Sequence, residues 1–239
     1  MTMTNLPPHL PIAPLEAIGV RAFITTRAAG TFGLPEDGED PEVNARWHAL
    51  QRGLVTAGAP RLASARQLHG TRVIVHRATD AWDGWLRIDG ADGHFLPAGG
   101  AAAITIADCV PIFMAHESGA AAVVHAGWRG VAGGILGEAL RAFAREGFPA
   151  EELVVHFGPS ICGRCYEVGP DVYERLTSFP TRRARQVDLR ALLAEQAKEL
   201  GVVRWSASGE CTRCDNDHFY SHRAGDSGRQ LGVIISRPA

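Results

Sequence analysis

The sequence predicts an α+β fold built on mixed, buried sheets, and three observations lead there. Apolar runs of strand length recur along the chain, densest at 101–115 and 121–126. Stretches with apolar side chains at helical spacing lie among them, at 43–57, 131–146, 171–179 and 189–200. No internal repeat or low-complexity linker divides the 239 residues, so one domain over 1–239 is expected, with 46% hydrophobic residues to form its core.

Taken in order, residues 1–15 are rich in proline and read as irregular. Val20–Thr26 alternates like a strand and delivers Arg27 at its end, where a solvated terminus is the ordinary outcome. Glu36–Glu42 reads as an acidic loop, and 43–57 as a packing helix with Trp47, Leu50 and Leu54 on one face. His69 falls in a turn or strand end before the strand 73–76. Residues 80–87 read as loop, and 88–93 as an acidic turn in which Asp89 and Asp92 are turn formers or second-shell metal contacts. Strands follow at 153–157, 202–205 and 231–235, with helices at 171–179 and 189–200. The first of these helices is expected to have a polar cap near Gly169-Pro170, the second to be capped by Asp188.

Charged residues make up 21% of the chain and the formal net charge is −2, so no global basic field draws nucleic acid or an acidic membrane surface. A small anionic ligand held by local arginines fits better. The N-terminal residues lack both a positive leader and an apolar core, and no apolar run has membrane-spanning length, so no signal peptide or membrane partner is expected. Five cysteines, an odd count, point to a reducing cytoplasm with thiols kept for metal or catalysis.

The run 101–115 carries the chemistry. A cysteine in an apolar run is ordinarily a core filler, and a histidine at a strand end is ordinarily packed or solvated. Asp108 beside Cys109 changes that balance, because a carboxylate inside such a run needs a partner or a role. Adjacent strands turning at Glu117-Ser118-Gly119 would let Cys109 and His125 meet at their ends. A helix over 131–146 would then open its backbone N–H groups beside His125, with Arg129 near any anion bound there.

His69, Cys109 and His125 supply two imidazoles and a thiolate, enough to hold zinc with a fourth position open. The same three groups suit copper, with Met114 nearby in sequence as a weak axial ligand. No His-x-His occurs among the ten histidines, so a trinuclear copper cluster is unsupported. A thiol hydrolase or deamidase, with Cys109 as nucleophile and His125 as base, is equally open. Two Cys-x-x-Cys pairs, 162/165 and 211/214, formally make a four-thiolate zinc shell and hence a zinc-stabilised interaction module. The intervening stretch, 166–210, exceeds ribbon spacing and favours free or loosely paired thiols.

Several motifs occur in order from about residue 20 onward. They are Gln67-Leu-His69-Gly, Asp89-Gly-Ala-Asp-Gly93, Ala107-Asp-Cys-Val-Pro111, His125-Ala-Gly-Trp-Arg-Gly130, Gly158-Pro-Ser-Ile161, Cys165-Tyr-Glu-Val-Gly169, Cys211-Thr and Gly228-Arg-Gln230. Together they resemble the laccase-domain family, also described as multicopper polyphenol oxidoreductases, as peptidoglycan-editing factors and as purine nucleoside phosphorylases. The resemblance implies a four-layer α/β/β/α domain with zinc held by His69, Cys109 and His125. It implies phosphorolysis of adenosine, inosine and methylthioadenosine, with adenosine deamination, so purine nucleosides and phosphate become the expected partners. On that basis Asp108 becomes a candidate proton shuttle beside catalytic Cys109 and His125. Arg27, Arg129 and Arg223 become phosphate contacts, and Gln67 a further substrate contact. Two departures from the family pattern, Asn44-Ala-Arg46 and Ser221-His-Arg-Ala224, touch expected substrate contacts.

Overall fold

The computed structural model describes residues 5–35 and 40–238. The chain begins with β1 (His9–Pro11), α1 (Ala13–Glu16), β2 (Arg21–Thr25) and α2 (Pro41–Thr56). The expectation of an irregular start is therefore corrected: β1 pairs antiparallel with β2 as an edge strand, the one place where Pro11 need not donate to a ladder. Most of the expected acidic loop, 36–39, lies outside the described residues. Its last aspartate, Asp40, caps α2, its carboxylate accepting from the amides of Glu42 and Val43 at 3.0 Å each.

There follow β3 (Arg61–Arg66), β4 (Val73–Val75), β5 (Gly84–Asp89), β6 (Gly93–Leu96), β7 (Gly100–Ile106), β8 (Val110–Ala115) and β9 (Ala121–Ala126). β5 overturns the loop expected at 80–87. Trp85, Leu86 and Ile88 favour extended backbone, and the segment pairs parallel with β3 along its whole length. Next come α3 (Trp128–Ala132) and α4 (Ile135–Arg145), where one helix over 131–146 was expected. Gly134, at φ +78°, breaks it, since the left-handed region ends a right-handed helix.

The chain closes with β10 (Val154–Phe157), β11 (Glu167–Val168), α5 (Pro170–Thr177), β12 (Arg185–Gln186), α6 (Leu189–Glu199), β13 (Arg204–Ala207) and β14 (Gln230–Ser236). β13 lies two residues later than expected. Asp188 caps α6 through the amides of Arg190 and Ala191, whereas α5 starts from Gly169 with no side-chain cap, Pro170 already removing one amide that would need a partner.

Two six-stranded mixed sheets form, in the orders β1-β2-β14-β7-β3-β5 and β13-β10-β8-β9-β6-β4. Their facing sides share one apolar cluster that includes Ile24, Ala102, Ile104, Phe113, Val123 and Ile234. α2 covers the other side of the first sheet through Trp47, Leu50 and Leu54. α4 and α6 cover the other side of the second through Leu136, Phe143 and Leu193. The near-continuous Ala/Val/Ile runs of β7–β9 follow from this, because strands buried on both faces have no polar face to alternate with.

One topological feature positions the site. β3, β5 and β7 run parallel in the first sheet and β4, β6 and β8 share one direction in the second. Each of the first three passes straight into one of the second three, so the three crossings lie at the same end of the molecule. His69 is in the first crossing, Asp92 in the second and Cys109 in the third. β7 and β8 therefore do not lie side by side in one sheet; the adjacent partner of β8 is β9, which pairs Pro111 with His125.

Candidate functional site

Backbone strain marks the crossings. His69 (φ 59°) and Asp108 (φ 81°) hold left-handed conformations that cost about 1 kcal/mol or more for residues with a Cβ. The turns they make aim His69 and Cys109 at the end of β9. There the metal-binding atoms of His69, Cys109 and His125 lie within 4.8 Å of one another, with His125 buried, Cys109 half-buried and His69 exposed. The His69 and His125 rings meet edge to face, centroids 4.7 Å apart.

Asp92 organises the cluster. Its Oδ1 accepts from His125 Nδ1 at 2.9 Å and from the His69 amide at 2.9 Å, and its Oδ2 from the Gly70 amide at 2.7 Å and the Leu68 amide at 3.2 Å. The carboxylate thus sets the His125 tautomer, leaving Nε2 for an ion, and clamps the loop carrying His69. Burial pushes the Asp92 carboxyl up, yet the His125 bond and the amides of Gly70 and His69 hold it below the usual carboxylate range. Burial also pushes the Cys109 thiol up, but the His125 and His69 rings outweigh it and bring it down to about 6. Burial lowers His125 in turn; the sulfur and Asp92 reverse this and raise it to about 9.

The donor set fits a borderline-soft ion, and so does the space around it. A Cβ on Gly127 would sit 2.9 Å from His69 Cδ2 and 3.2 Å from Cys109 Sγ, so only glycine lets the α3 N-terminus approach the cluster this closely. The trio and Gly127 leave the exposed His69 side facing a cavity of about 590 Å³, a size that suits a small ligand.

The other expected site residues divide. Asp108, Gln67, Arg129 and Arg223 line the cavity with the trio, and Arg27 does not. The Arg27 guanidinium pairs with Asp226 at 2.6 Å, donates to the carbonyls of Asn216 and Phe219, and covers the Tyr220 ring, so it is bound into the 216–226 loop. Gln67 bonds Thr105 through both ends of its amide, linking β3 to β7 beneath the cavity. Asp108 accepts from the Thr212 hydroxyl and the Arg223 amide, each at 2.7 Å. Arg223 donates to the Glu167 carbonyl and stands over the Tyr166 ring. Arg129 stands over Trp128, with no hydrogen bond from its guanidinium among the described residues.

Met114 is buried in the core cluster beneath α4 and does not line the cavity, so the expectation of an axial thioether is corrected. Arg46 bonds Glu42 and the Thr31 carbonyl and is likewise absent from the lining. Sequence reasoning overlooked Arg66, Arg87, Arg229, Tyr166 and His222, all of which line the cavity. Arg66 and Arg87 share the β3–β5 edge, and burial with the neighbouring Arg66 charge lowers the Arg87 pKa. Their signal was weak, since an arginine in a strand ordinarily marks a solvated side.

The thiols of the two Cys-x-x-Cys pairs, expected to be free or loosely paired, converge across the long gap: the sulfurs of Cys162, Cys165, Cys211 and Cys214 lie within 4.8 Å of one another. Between the pairs α5, β12 and α6 loop out and return, and a bridge between Ser160 and Cys211 brings the pairs together, a return that the 166–210 spacing does not reveal.

Residues 28–237 match the family described as multi-copper polyphenol oxidoreductase laccase. The chain is 31% identical to a purine nucleoside phosphorylase of Deinococcus radiodurans, the alignment covering 95% of this chain and 93% of that one. It is 32% identical to a protein named adenosine deaminase RL5, from an unknown prokaryotic organism, over 74% of this chain and 72% of that one. Among solved structures, YlmD from Geobacillus stearothermophilus superposes with a TM-score of 0.79 at 27% identity, covering 92% of each chain. YfiH from Bacillus licheniformis superposes at 0.83 and 22% identity over 98% of each, a likeness of fold. With the match running through every element that carries the trio, the chain belongs to the multi-copper polyphenol oxidoreductase laccase family.

Proposed function

We propose that this protein is a zinc-dependent purine nucleoside enzyme that phosphorolyses adenosine, inosine and methylthioadenosine and also deaminates adenosine. The observation that carries the reading is the convergence of His69, Cys109 and His125 at the wall of a cavity lined by arginines and aromatic rings. Relatives named purine nucleoside phosphorylase and adenosine deaminase support it.

His69, Cys109 and His125 would hold the zinc, which supplies Lewis acidity at an open ligand position. In phosphorolysis a phosphate oxygen forms a bond to the ribose anomeric carbon as the glycosidic C–N bond breaks, and the purine leaves with a proton. Arg129 and Arg223 are assigned to hold the phosphate by charge-assisted hydrogen bonds, with Arg66, Arg87 and Arg229 completing the positive wall. Arg27 is assigned to holding the 216–226 loop rather than to phosphate, because its Nε and Nη2 are already engaged there and it does not line the cavity. Tyr166 offers a ring for the base, and Gln67 sets the floor. In deamination the oxygen of water bonds to the purine C6 as the C6–N bond breaks, and the amino group takes up a proton and leaves as ammonia. Asp108, which keeps lone pairs on both oxygens beyond its two bonds, is assigned to carry the proton.

A second reading has its own observation. Cys109, His125 and Asp92 form a chain in which the thiol is lowered and the imidazole raised, as a cysteine nucleophile requires. One experiment separates the two: elemental analysis joined to an inosine-plus-phosphate assay on wild type, His69→Ala and Cys109→Ala. The zinc reading expects zinc in the wild type, hypoxanthine release that chelators abolish, and loss of the trio's zinc together with activity in folded His69→Ala. A wild type whose zinc content His69→Ala leaves unchanged, and which chelators leave active and thiol alkylation inactivates, would replace it with the nucleophile. Visible absorbance with rapid phenol oxidation would replace it with copper chemistry.

A further inference from the structure

The second sulfur cluster stands apart from the trio. Cys162 and Cys165 flank one tight turn, in which the amides of Cys165 and Tyr166 donate to the Cys162 carbonyl at 2.9 and 3.1 Å. Cys211 and Cys214 flank another, in which the Asp215 amide donates to the Cys211 carbonyl at 2.8 Å. The turns face each other, and the Cys211 sulfur accepts from the amides of Cys162 at 3.2 Å and Cys214 at 3.5 Å. Amides aimed at a sulfur favour the thiolate over the thiol, the form a metal takes.

We propose that Cys162, Cys165, Cys211 and Cys214 hold a second, structural zinc ion that joins the 158–169 segment to the 208–226 segment. Zinc–sulfur bonds of about 2.3 Å in a tetrahedron place sulfurs about 3.8 Å apart. The four sulfurs already lie within 4.8 Å of one another, the Cys165–Cys214 pair at 3.5 Å, so closing the shell needs only side-chain adjustment. Four protein thiolates leave no open corner, which makes this site structural where the trio is not. The complex carries two negative charges, and each turn contains an arginine, Arg164 and Arg213, the latter donating to the Cys165 carbonyl.

The position gives the ion a task. The first segment carries Tyr166 and Glu167, and the second carries Thr212 and Arg223, which hold Asp108. Arg223 spans the two by donating to the Glu167 carbonyl. Among the described residues neither segment contains more than a two-residue strand, and they meet through the Ser160–Cys211 bridge and single hydrogen bonds such as Arg213 to the Cys165 carbonyl, to which the ion would add four zinc–sulfur bonds.

The test is metal content on intact protein purified under reducing, zinc-sufficient conditions. Two zinc ions per chain are expected in the wild type. Cys109→Ala is expected to keep one, whose X-ray absorption fine structure shows sulfur alone in its first shell. Cys165→Ser/Cys214→Ser is expected to lose one zinc, retain the ion of the trio and melt at lower temperature. A folded Cys109→Ala protein with no zinc, a retained ion with nitrogen neighbours, or iron in place of zinc would each overturn the proposal. Because Cys109→Ala removes the trio alone, failure of the trio and failure of this cluster give different counts.

Discussion

Asp92 reaches His125 with one carboxylate oxygen and the Gly70 amide with the other, so a single side chain sets a ligand's tautomer and a ligand's loop. Replacing it with asparagine keeps the size but puts an NH2 group where two of the four donors are already aimed. Asp92→Asn is expected to weaken zinc binding by about 10–100-fold, the usual cost of losing a carboxylate behind a metal-bound imidazole. Competition against a chromophoric chelator measures this, and unchanged affinity would deny Asp92 the role. Gly127 acts by what it lacks. Gly127→Ala would drive a Cβ against His69 and Cys109, at a separation from His69 that no real Cβ adopts, so the folded variant is expected to lose the trio's zinc and nucleoside cleavage together. The sequence displayed Cys109 and His125 plainly because their neighbours are so apolar. Asp92 read equally well as a turn former, since nothing local reveals that its carboxylate points inward.

Between residue and fold, the informative element is the interrupted helix after β9. Apolar spacing over 131–146 is continuous, which is why one helix is the natural reading, yet Gly133 and Gly134 divide it into α3 and α4. The break lets α3 start at Gly127 beside the trio while α4 lies along the second sheet. Gly134 has φ +78° and nothing within 4 Å of an added Cβ, so its only constraint is backbone conformation. Gly134→Ala is expected to destabilise the protein by about 1–2 kcal/mol without changing zinc content, read from the shift of a urea transition. An unshifted midpoint would mean the two helices are not held apart by this residue. β5 shows the opposite failure: its strand was missed because Trp82, Asp83 and Gly84 look like loop, and its parallel partner β3 lies outside any local window.

At the scale of the whole molecule, three buried imidazoles away from the trio couple folding to acidity. Burial, with neighbouring cations, lowers His76 and His156 to about 4, and burial with the adjacent His76 lowers His94 to about 3. Unfolded, each titrates near 6.5, so below that pH the unfolded chain binds protons that the folded one refuses. Stability is therefore fully present above about pH 6.5 and falls as pH drops toward 4 and 3, with a slope near 1.4 kcal/mol per pH unit for each histidine. Denaturant midpoints between pH 7 and 4 check the sign; flat stability over that window would contradict the burial of these rings. His76→Gln should flatten part of the slope.

The linear chain by itself determined which segments are strand or helix wherever composition is extreme. It determined that Cys109 sits where a core residue would, beside an acid that needs a reason, and through its ordered motifs it determined the family. Only the tertiary structure decided that the passages 67–72, 90–92 and 107–109 are three parallel crossings between two sheets, which is what brings His69, Asp92 and Cys109 to one end beside His125. Only it decided that the four remaining cysteines meet, and that Arg27 serves a loop rather than the cavity. The reason is physical: hydrophobic periodicity reports whether a segment is buried, a local property, whereas strand pairing and side-chain convergence depend on contacts between residues far apart along the chain.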